Sequence, residues 1–304
     1  MIIADLDSAR LRRALAETGL GLHIGPFIVR LHSPIPSVAE GLARLYDRYP
    51  AEIPPVFADI HMSLFPAGGL RRFYRPQVIF SNDGYSPFKP LPLVQAFPFF
   101  EWSLNWCVAT HAHQYAIIHA AVVARAGRVA ILAGAPGAGK STLCAALIQR
   151  GWRLFSDEMA LVSLSTGEIM PLPRPVSLKN ESIDLIRRFA PAAVFGPVSA
   201  DTHKGSVAHV RAPDDSVARA AEPGRAAWLL LPRYEAGAAL EARPLGRARM
   251  LMELAAQTFN YHILGETGFQ VLAELVDASA CYRLHYSRLE EAMDFFERLA
   301  QDCP

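Results

Sequence analysis

An α/β fold preceded by a smaller α+β region is the expectation, and three features of the sequence set it. Two apolar, β-branched runs, YAIIHAAVVAR (115–125) and GRVAILAG (127–134), are joined by a tight Ala-Gly turn. The second run leads straight into the glycine-rich stretch GAPGAGKST (134–142). STLCAALIQRG then reads as a helix closed by Gly151, and WRLFSDEMALVSL (152–164) as a further strand. Strand, loop, helix and strand in that order form the context that a phosphate-holding loop requires.

The elements before this block are shorter and mixed. LDSARLRRALAETG (6–19) has the pattern of an amphipathic helix stopped by Gly19. IGPFIVRLHS reads as a strand, and SVAEGLARLYDRYP as a helix opened by Ser37 and closed before Pro50. VFADIHMSLF alternates like a half-buried strand, and RRFYRPQVIFSNDGYSPFKP reads as strand, turn and strand around Asn82-Asp83-Gly84. LVQAFPFFEWSLNWCVATHA is an aromatic-rich helix, expected to pack this region onto the next; a peptide-docking groove is the alternative. The prolines at 87, 90, 92 and 98 mark the transition. A boundary near residue 112 divides the chain into residues 1–112 and residues 113–304.

Composition narrows the function classes. The 304 residues are 51% hydrophobic and 19% charged, with a formal net charge of +1. That balance gives no electrostatic case for nucleic acid or an anionic membrane as partner. Cys107, Cys144, Cys281 and Cys303 lie far apart with no metal spacing, as expected of buried or incidental thiols in a reducing compartment. The apolar stretch from Tyr115 to Gly139 is interrupted by His119, Arg125 and Arg128, so no membrane span is expected. The start, MIIADLDSARLRRAL, lacks the pattern of a signal peptide, and a cytoplasmic enzyme is the expectation.

The stretch Gly134, Ala135, Pro136, Gly137, Ala138, Gly139, Lys140, Ser141, Thr142 matches G-x-x-x-x-G-K-[ST] in full. Glycines let the backbone wrap phosphates with its N–H groups inward, and the following helix adds its positive end. Lys140 is placed to reach the β- and γ-phosphates of ATP, and the Ser141 hydroxyl to help hold Mg²⁺.

The loop is shared by many activities, so the acidic partner decides between them. The later strand AAWLLLPRYE ends in Pro232 and Arg233 with no aspartate, which argues against a motor or transporter. No LSGGQ-type or NKxD motif is present. The acidic pair is Asp157-Glu158, on the segment directly after the loop's helix. There an aspartate can accept the proton of an incoming hydroxyl while its neighbour helps hold the metal. A strand-end cap is the plainer alternative.

These residues resemble the HPr kinase/phosphorylase superfamily, whose order is a strand with a His, a turn, a strand, a phosphate loop with helix, then RG-x-R-L-x-x-D-D. IIHAAVVARAGRVAILAGAPGAGKSTLCAALIQRGWRLFSDE follows that order without a gap. PRPVSLKNESID further resembles the branch of HPr-kinase-related kinases. The resemblance implies a phosphate-loop kinase domain akin to that of phosphoenolpyruvate carboxykinase, transferring a phosphoryl group from ATP to a hydroxyl. By matching position it implies Asp157 as base, Glu158 near Mg²⁺ with Ser141, and His119 facing the active site; taken alone, His119 is an ordinary core histidine. LGRARMLMELAAQTFNY keeps Gly246, Arg247, Glu253, Ala255, Ala256 and Asn260 of a second family stretch, with Leu245 and Ala248 replacing its Pro and Asn. This makes Arg247 a candidate for stabilising the transferring phosphoryl group, a surface arginine being the alternative. The family's further metal-binding acid has no counterpart: Leu172 stands in its place, and Arg174 matches the nearby arginine.

Other signals stay open. Lys179 is either a phosphate contact at a helix start or a solvated lysine. DTHKGSVAHVRAP (201–213) is either a mobile loop closing on substrate, with Lys204 and Arg211 on phosphate, or a plain surface loop. His111 and His113 lack a third metal ligand and read as structural. The expected acceptor is a Ser/Thr hydroxyl of a peptide or small protein, with a small-molecule acceptor as the alternative. A nucleotide-sensing module without transfer is the main rival, and an NTPase coupled to motion the weaker one. Because the parent family forms rings, the resemblance also allows a homo-oligomer.

Overall fold

The computed structural model describes residues 1–69 and 73–301, so Arg71, Arg72 and Cys303 lie outside the described residues. The fold is mixed α/β with several sheets. The first region holds helix α1 (Ser8–Ala16), strands β1 (Leu20–Ile24) and β2 (Phe27–His32), helix α2 (Pro36–Leu45), strands β3 (Ala51–Glu52), β4 (Ile60–Pro66), β5 (Gln77–Asn82) and β6 (Leu91–Pro92), and helix α3 (Ala96–His111). Its six strands form one sheet in the order β3-β1-β2-β4-β5-β6.

Asp7 caps α1, its side chain accepting the Arg10 N–H at 2.7 Å. Pro36 rather than Ser37 opens α2, a position where its missing N–H costs nothing. The segment before IGPFIVRLHS is itself a strand, so Gly25-Pro26 turns a β1–β2 hairpin. Around Asn82, Asp83 and Gly84 have φ of 47° and 82°, the tight turn expected. The returning strand does not follow at once. Pro87 and Pro90 supply no N–H for a ladder, and pairing resumes only where Val78 and Gln77 meet Leu91 and Pro92.

The second region continues with strands β7 (Tyr115–Ile118), β8 (Ala120–Arg125) and β9 (Arg128–Ala133), helix α4 (Lys140–Gln149), and strands β10 (Arg153–Ser156), β11 (Ala160–Ser163), β12 (Ile169–Met170) and β13 (Val176–Lys179). Helix α5 (Glu181–Phe189), strands β14 (Ser199–Thr202) and β15 (Gly205–Val210), helix α6 (Asp214–Ala218) and strands β16 (Arg225–Tyr234) and β17 (Glu241–Pro244) follow. Helices α7 (Arg247–Gln257) and α8 (Tyr261–Asp277), strand β18 (Ala280–Tyr286) and helix α9 (Leu289–Gln301) complete it.

The main sheet runs β10-β8-β9-β16-β18-β17, with β9, β16 and β18 parallel. Strands β8 and β9 are apolar on both faces because both are covered. Ala130 and Leu132 of β9 join one apolar cluster, while Val129, Ile131 and Ala133 join another. Helices α4 and α9 lie on the first side; α7 and α8 contribute Met250, Leu254, Val271 and Leu275 to the second.

Two runs that read as single strands are broken. YAIIHAAVVAR splits at His119, and WRLFSDEMALVSL splits over Asp157–Met159. Before the break Ser156 lies opposite Val122, and after it Ala160 lies opposite Ile118. One antiparallel register thus continues across a gap, while β7 and β11 leave the main sheet for a three-stranded one in the order β12-β11-β7. The segment 201–213, expected as a loop, is largely a hairpin of β14 and β15 paired with β13.

The end of α3 coincides with residue 112, yet one apolar cluster runs from Ile3 through Phe100 and Leu143 to Phe296. The aromatic helix packs this seam, as expected. Buried Glu101 accepts the Tyr46 hydroxyl at 2.6 Å and an Arg174 N–H at 3.3 Å, while Arg174 also donates to Asn105. Arg211 pairs with Asp47 at 2.6 Å, and Tyr49 donates to the Pro173 carbonyl at 2.9 Å. Burial raises the Glu101 pKa against the pull of Arg174 and Tyr46. Among the described residues no helix is long and apolar enough to cross a membrane.

Arg174→Ala leaves the Glu101 carboxyl buried without its cation. Denaturant unfolding is expected to show a loss of about 3 kcal/mol, since removing one member strands the other.

Candidate functional site

The glycine-rich loop leaves the carboxyl end of β9 and enters α4 at Lys140. Gly134, Gly137 and Gly139 have φ of 141°, 85° and 93°, which side-chain-bearing residues rarely adopt. At Gly139 space is also closed: a Cβ would stand 2.2 Å from the Tyr286 hydroxyl oxygen. Neighbouring parallel strands pin the loop from below. Tyr234 at the end of β16 donates its N–H to the Ala138 carbonyl at 3.2 Å, and Tyr286 at the end of β18 donates to the Gly139 carbonyl at 3.3 Å.

Lys140 is 6% exposed and folds back over the loop, its Nζ donating to the Gly134 and Ala135 carbonyls at 2.6 and 3.1 Å. Burial lowers its pKa, with Glu158 and Asp157 pulling upward. Both carboxylates of the acidic pair therefore lie near enough to act on the loop lysine. Adjacent residues on an unbroken strand point to opposite faces; the break over Asp157–Met159 removes that constraint.

Asp157 is 5% exposed. Its Oδ2 accepts the Ser177 N–H at 2.9 Å, whereas its Oδ1 has no hydrogen-bond partner among the described residues. Burial first, then the Glu158 charge, raises its pKa to about 7, against the Ser177 N–H and the Ser141 hydroxyl beside it. An orphaned carboxylate oxygen next to a serine hydroxyl and a half-desolvated lysine is costly unless something fills it.

His119 occupies the matching break in the other strand. Its N–H bonds the Gln257 carbonyl at 2.8 Å, and its Nε2 lies 3.7 Å from Glu158 Oε2. Burial, then Lys140, lowers its pKa, opposed by Glu158 and the Gln257 side chain. Asn260 holds the preceding strand: its Oδ1 accepts the Ile117 N–H at 3.1 Å and its Nδ2 donates to the Tyr115 carbonyl at 2.8 Å.

Lys140, Ser141, Asp157, Glu158 and His119 are thus brought together. Arg247 is not. It lies at the first turn of α7, a roughly 15 Å helix away from Gln257, 67% exposed and paired with Asp277 at 3.2 Å. Its neighbour Cys281 begins β18, at the opposite end of the parallel strands from the loop. Arg211, tied to Asp47 and Asp214, also points elsewhere. Leu172 is a core residue and Arg174 belongs to the Glu101 network.

Ser177, Gln257, Tyr234 and Tyr286 join the site without having been singled out from the sequence. Tyr234 and Tyr286 carry a readable signal, each ending an apolar strand; Ser177 acts through its backbone, which any residue supplies.

Among the described residues no three His, Cys, Asp or Glu gather as a cage for a metal ion. Mg²⁺ held between one or two carboxylates and substrate phosphates needs no such cage, and the Ser141 hydroxyl with the Glu158 carboxylate is a donor set of that hard-oxygen kind. Compared with known proteins, the chain matches no family model and no curated protein.

The raised Asp157 pKa has a signed consequence. Folded chain holds a proton here, between about pH 4 and 7, that unfolded chain has released. The stabilisation from this group is full below about pH 4 and gone above about pH 7, where a buried charge remains. Asp157→Asn removes that charge and is expected to raise Tm at pH 8 by roughly 3–8 °C, the gain shrinking as pH falls to 5. Thermal melts of metal-free protein at several pH values check this.

Proposed function

We propose that this chain is an ATP-dependent phosphotransferase of the HPr-kinase-related type, moving the γ-phosphoryl group to a hydroxyl of a peptide or small protein. The observation that carries this reading is Asp157: a buried carboxyl with one fixed oxygen and one free, next to the lysine and serine of the glycine-rich loop.

In this reading the backbone N–H groups from Gly134 to Thr142 and the Lys140 ammonium hold the phosphates. Lys140 exchanges its two carbonyl partners for phosphate oxygens, which gives a desolvated cation a full charge to meet. Ser141 and Glu158 would hold Mg²⁺, which supplies neutralising charge at the phosphates when bound. Ser177 fixes Oδ2 of Asp157, which leaves the buried, unpaired Oδ1 as the oxygen that would meet the acceptor hydroxyl once substrate opens a way to it. A pKa near 7 lets that oxygen take the hydroxyl proton at neutral pH and surrender it afterwards. His119 steadies Glu158, and Asn260 steadies the strand that delivers His119. Such transfer depends on position and charge rather than covalent catalysis. Reduced, buried Cys107, Cys144 and Cys281 fit a cytoplasmic setting for it.

The placement of Arg247 favours a second reading, a nucleotide-sensing module without transfer, because among the described residues it leaves the cluster without an arginine for the transferring group. One experiment separates the two. Purified chain is incubated with γ-labelled ATP and a pool of peptides and metabolites, and label on a hydroxyl is measured. Wild type is expected to label an acceptor. Asp157→Asn should lower transfer by about 10²-fold or more with ATP affinity nearly unchanged, whereas Lys140→Ala should weaken both. ATP binding with no labelled acceptor would instead support the sensing module, and full transfer by Asp157→Asn would remove the base.

A further inference from the structure

Beyond the loop, the strand that anchors Asp157 carries a second set of polar groups with no use so far. Ser177 and Lys179 alternate to one face of β13, and His209 lies across the ladder from Ser177. The Ser177 hydroxyl and His209 Nε2 are both buried without a hydrogen-bond partner, in residues 6% and 2% exposed. Buried polar atoms are rarely left so.

Two cations stand at the same end of this small sheet. Lys179 is the last residue of β13, and Lys204 sits in the turn between β14 and β15. Asn180 binds the two together: its N–H donates to the Ser206 carbonyl at 2.9 Å, and its side chain accepts the Ser206 N–H and donates to the Lys204 carbonyl. Lys204 rests on the Trp102 ring, with Nζ 5.3 Å from its centre. Neither lysine forms a salt bridge with a carboxylate among the described residues. Partial burial of the otherwise exposed Lys204, then the Lys179 charge, lowers its pKa while Glu158 raises it, and burial with Arg174, Lys179 and Lys204 nearby takes His209 down to about 3. His209 is therefore neutral, and its buried Nε2 has a hydrogen bond still to make. The cluster combines two lysines without a salt bridge and two buried polar atoms without a hydrogen bond, among the described residues, with Asp157 and Glu158 as the nearby carboxylates.

Asp157 lies between the two basic groups. Ser141 and Lys140 approach it from α4, while Ser177 and Lys179 approach it from β13. We propose that the end of the β13–β15 face is an anion-binding subsite for the acceptor, so that the accepting hydroxyl belongs to a molecule carrying a carboxylate or phosphate beside it. Lys179 and Lys204 meet that anion, and the hydroxyl then reaches Asp157 from the side away from the loop. The term acceptor rests on the phosphotransfer reading; the anion site stands on residues outside the glycine-rich loop.

The test uses inorganic phosphate and malonate as probes, titrated calorimetrically into wild type saturated with a non-hydrolysable ATP analogue, and into Lys140→Ala without it. Lys179→Gln and Lys204→Gln keep the side-chain stems, and melting curves confirm that they fold. Saturable binding of either probe in both backgrounds, weakened about tenfold or more by either Gln variant, is the expected result. Phosphate alone binding points to a phosphorylated acceptor, malonate alone to a carboxylate-bearing one. No binding of either probe, or binding lost in Lys140→Ala and untouched by the Gln variants, overturns the subsite. Because Lys140→Ala reads this face without a nucleotide, failure of the ATP reading and failure of the subsite give different patterns.

Discussion

Where β8 and β10 give way to β7 and β11, one antiparallel ladder opens over three residues on each side, and the arrangement at the loop depends on that opening. A regular ladder would turn Asp157 and Glu158 to opposite faces of an apolar sheet, burying at least one carboxylate among side chains such as Phe155 and Val122. Opening the ladder frees backbone groups, which find other partners. His119 donates to the Gln257 carbonyl, Met159 to the Ser156 hydroxyl, and Leu172 to the Phe155 carbonyl. With the main chain satisfied, both acidic side chains can turn toward Lys140.

Two buried charge groups in this molecule show opposite designs. At the seam of the two regions Glu101 has Tyr46 and Arg174, and Arg174 has Asn105. That group is nearly closed, with Arg174 Nε left without a partner among the described residues, and it holds helix α3 against the second region. Around Asp157 the network is open: among the described residues one carboxylate oxygen, a serine hydroxyl and an imidazole nitrogen lack hydrogen-bond partners, and neither Lys179 nor Lys204 forms a salt bridge. A closed network adds order to a fold, whereas an open one stores unmade interactions that a ligand can complete. Phosphates on the loop side and an anionic acceptor on the β13 side are the ligands we propose for it.

Much of this architecture is legible in the residues because its signals are local. The Ala126-Gly127 and Asp83-Gly84 turns follow from backbone angles that few residues accept. Helix α4 and its stop at Gly151 follow from spacing. The split of WRLFSDEMALVSL is not legible, because its halves are equally apolar and differ only in which sheet they join. The 201–213 segment reads as a loop from its polarity, yet β13 supplies the ladder that makes it a hairpin. Arg247 shows the reverse failure: its neighbours match a pattern, but α7 enters at the far end of the strands and turns it to Asp277.

The sequence by itself determined the loop, its helix, the strand before it and the presence of an acidic pair just after, since each is set by glycine geometry or apolar periodicity within a few residues. Only the tertiary structure decided which charges share a site. Lys140, Asp157, Lys179 and Lys204 lie on four different segments, and their meeting depends on how three sheets divide the strands. Pairing between distant strands is fixed by burial of whole faces, a sum over the core that no short stretch of sequence contains.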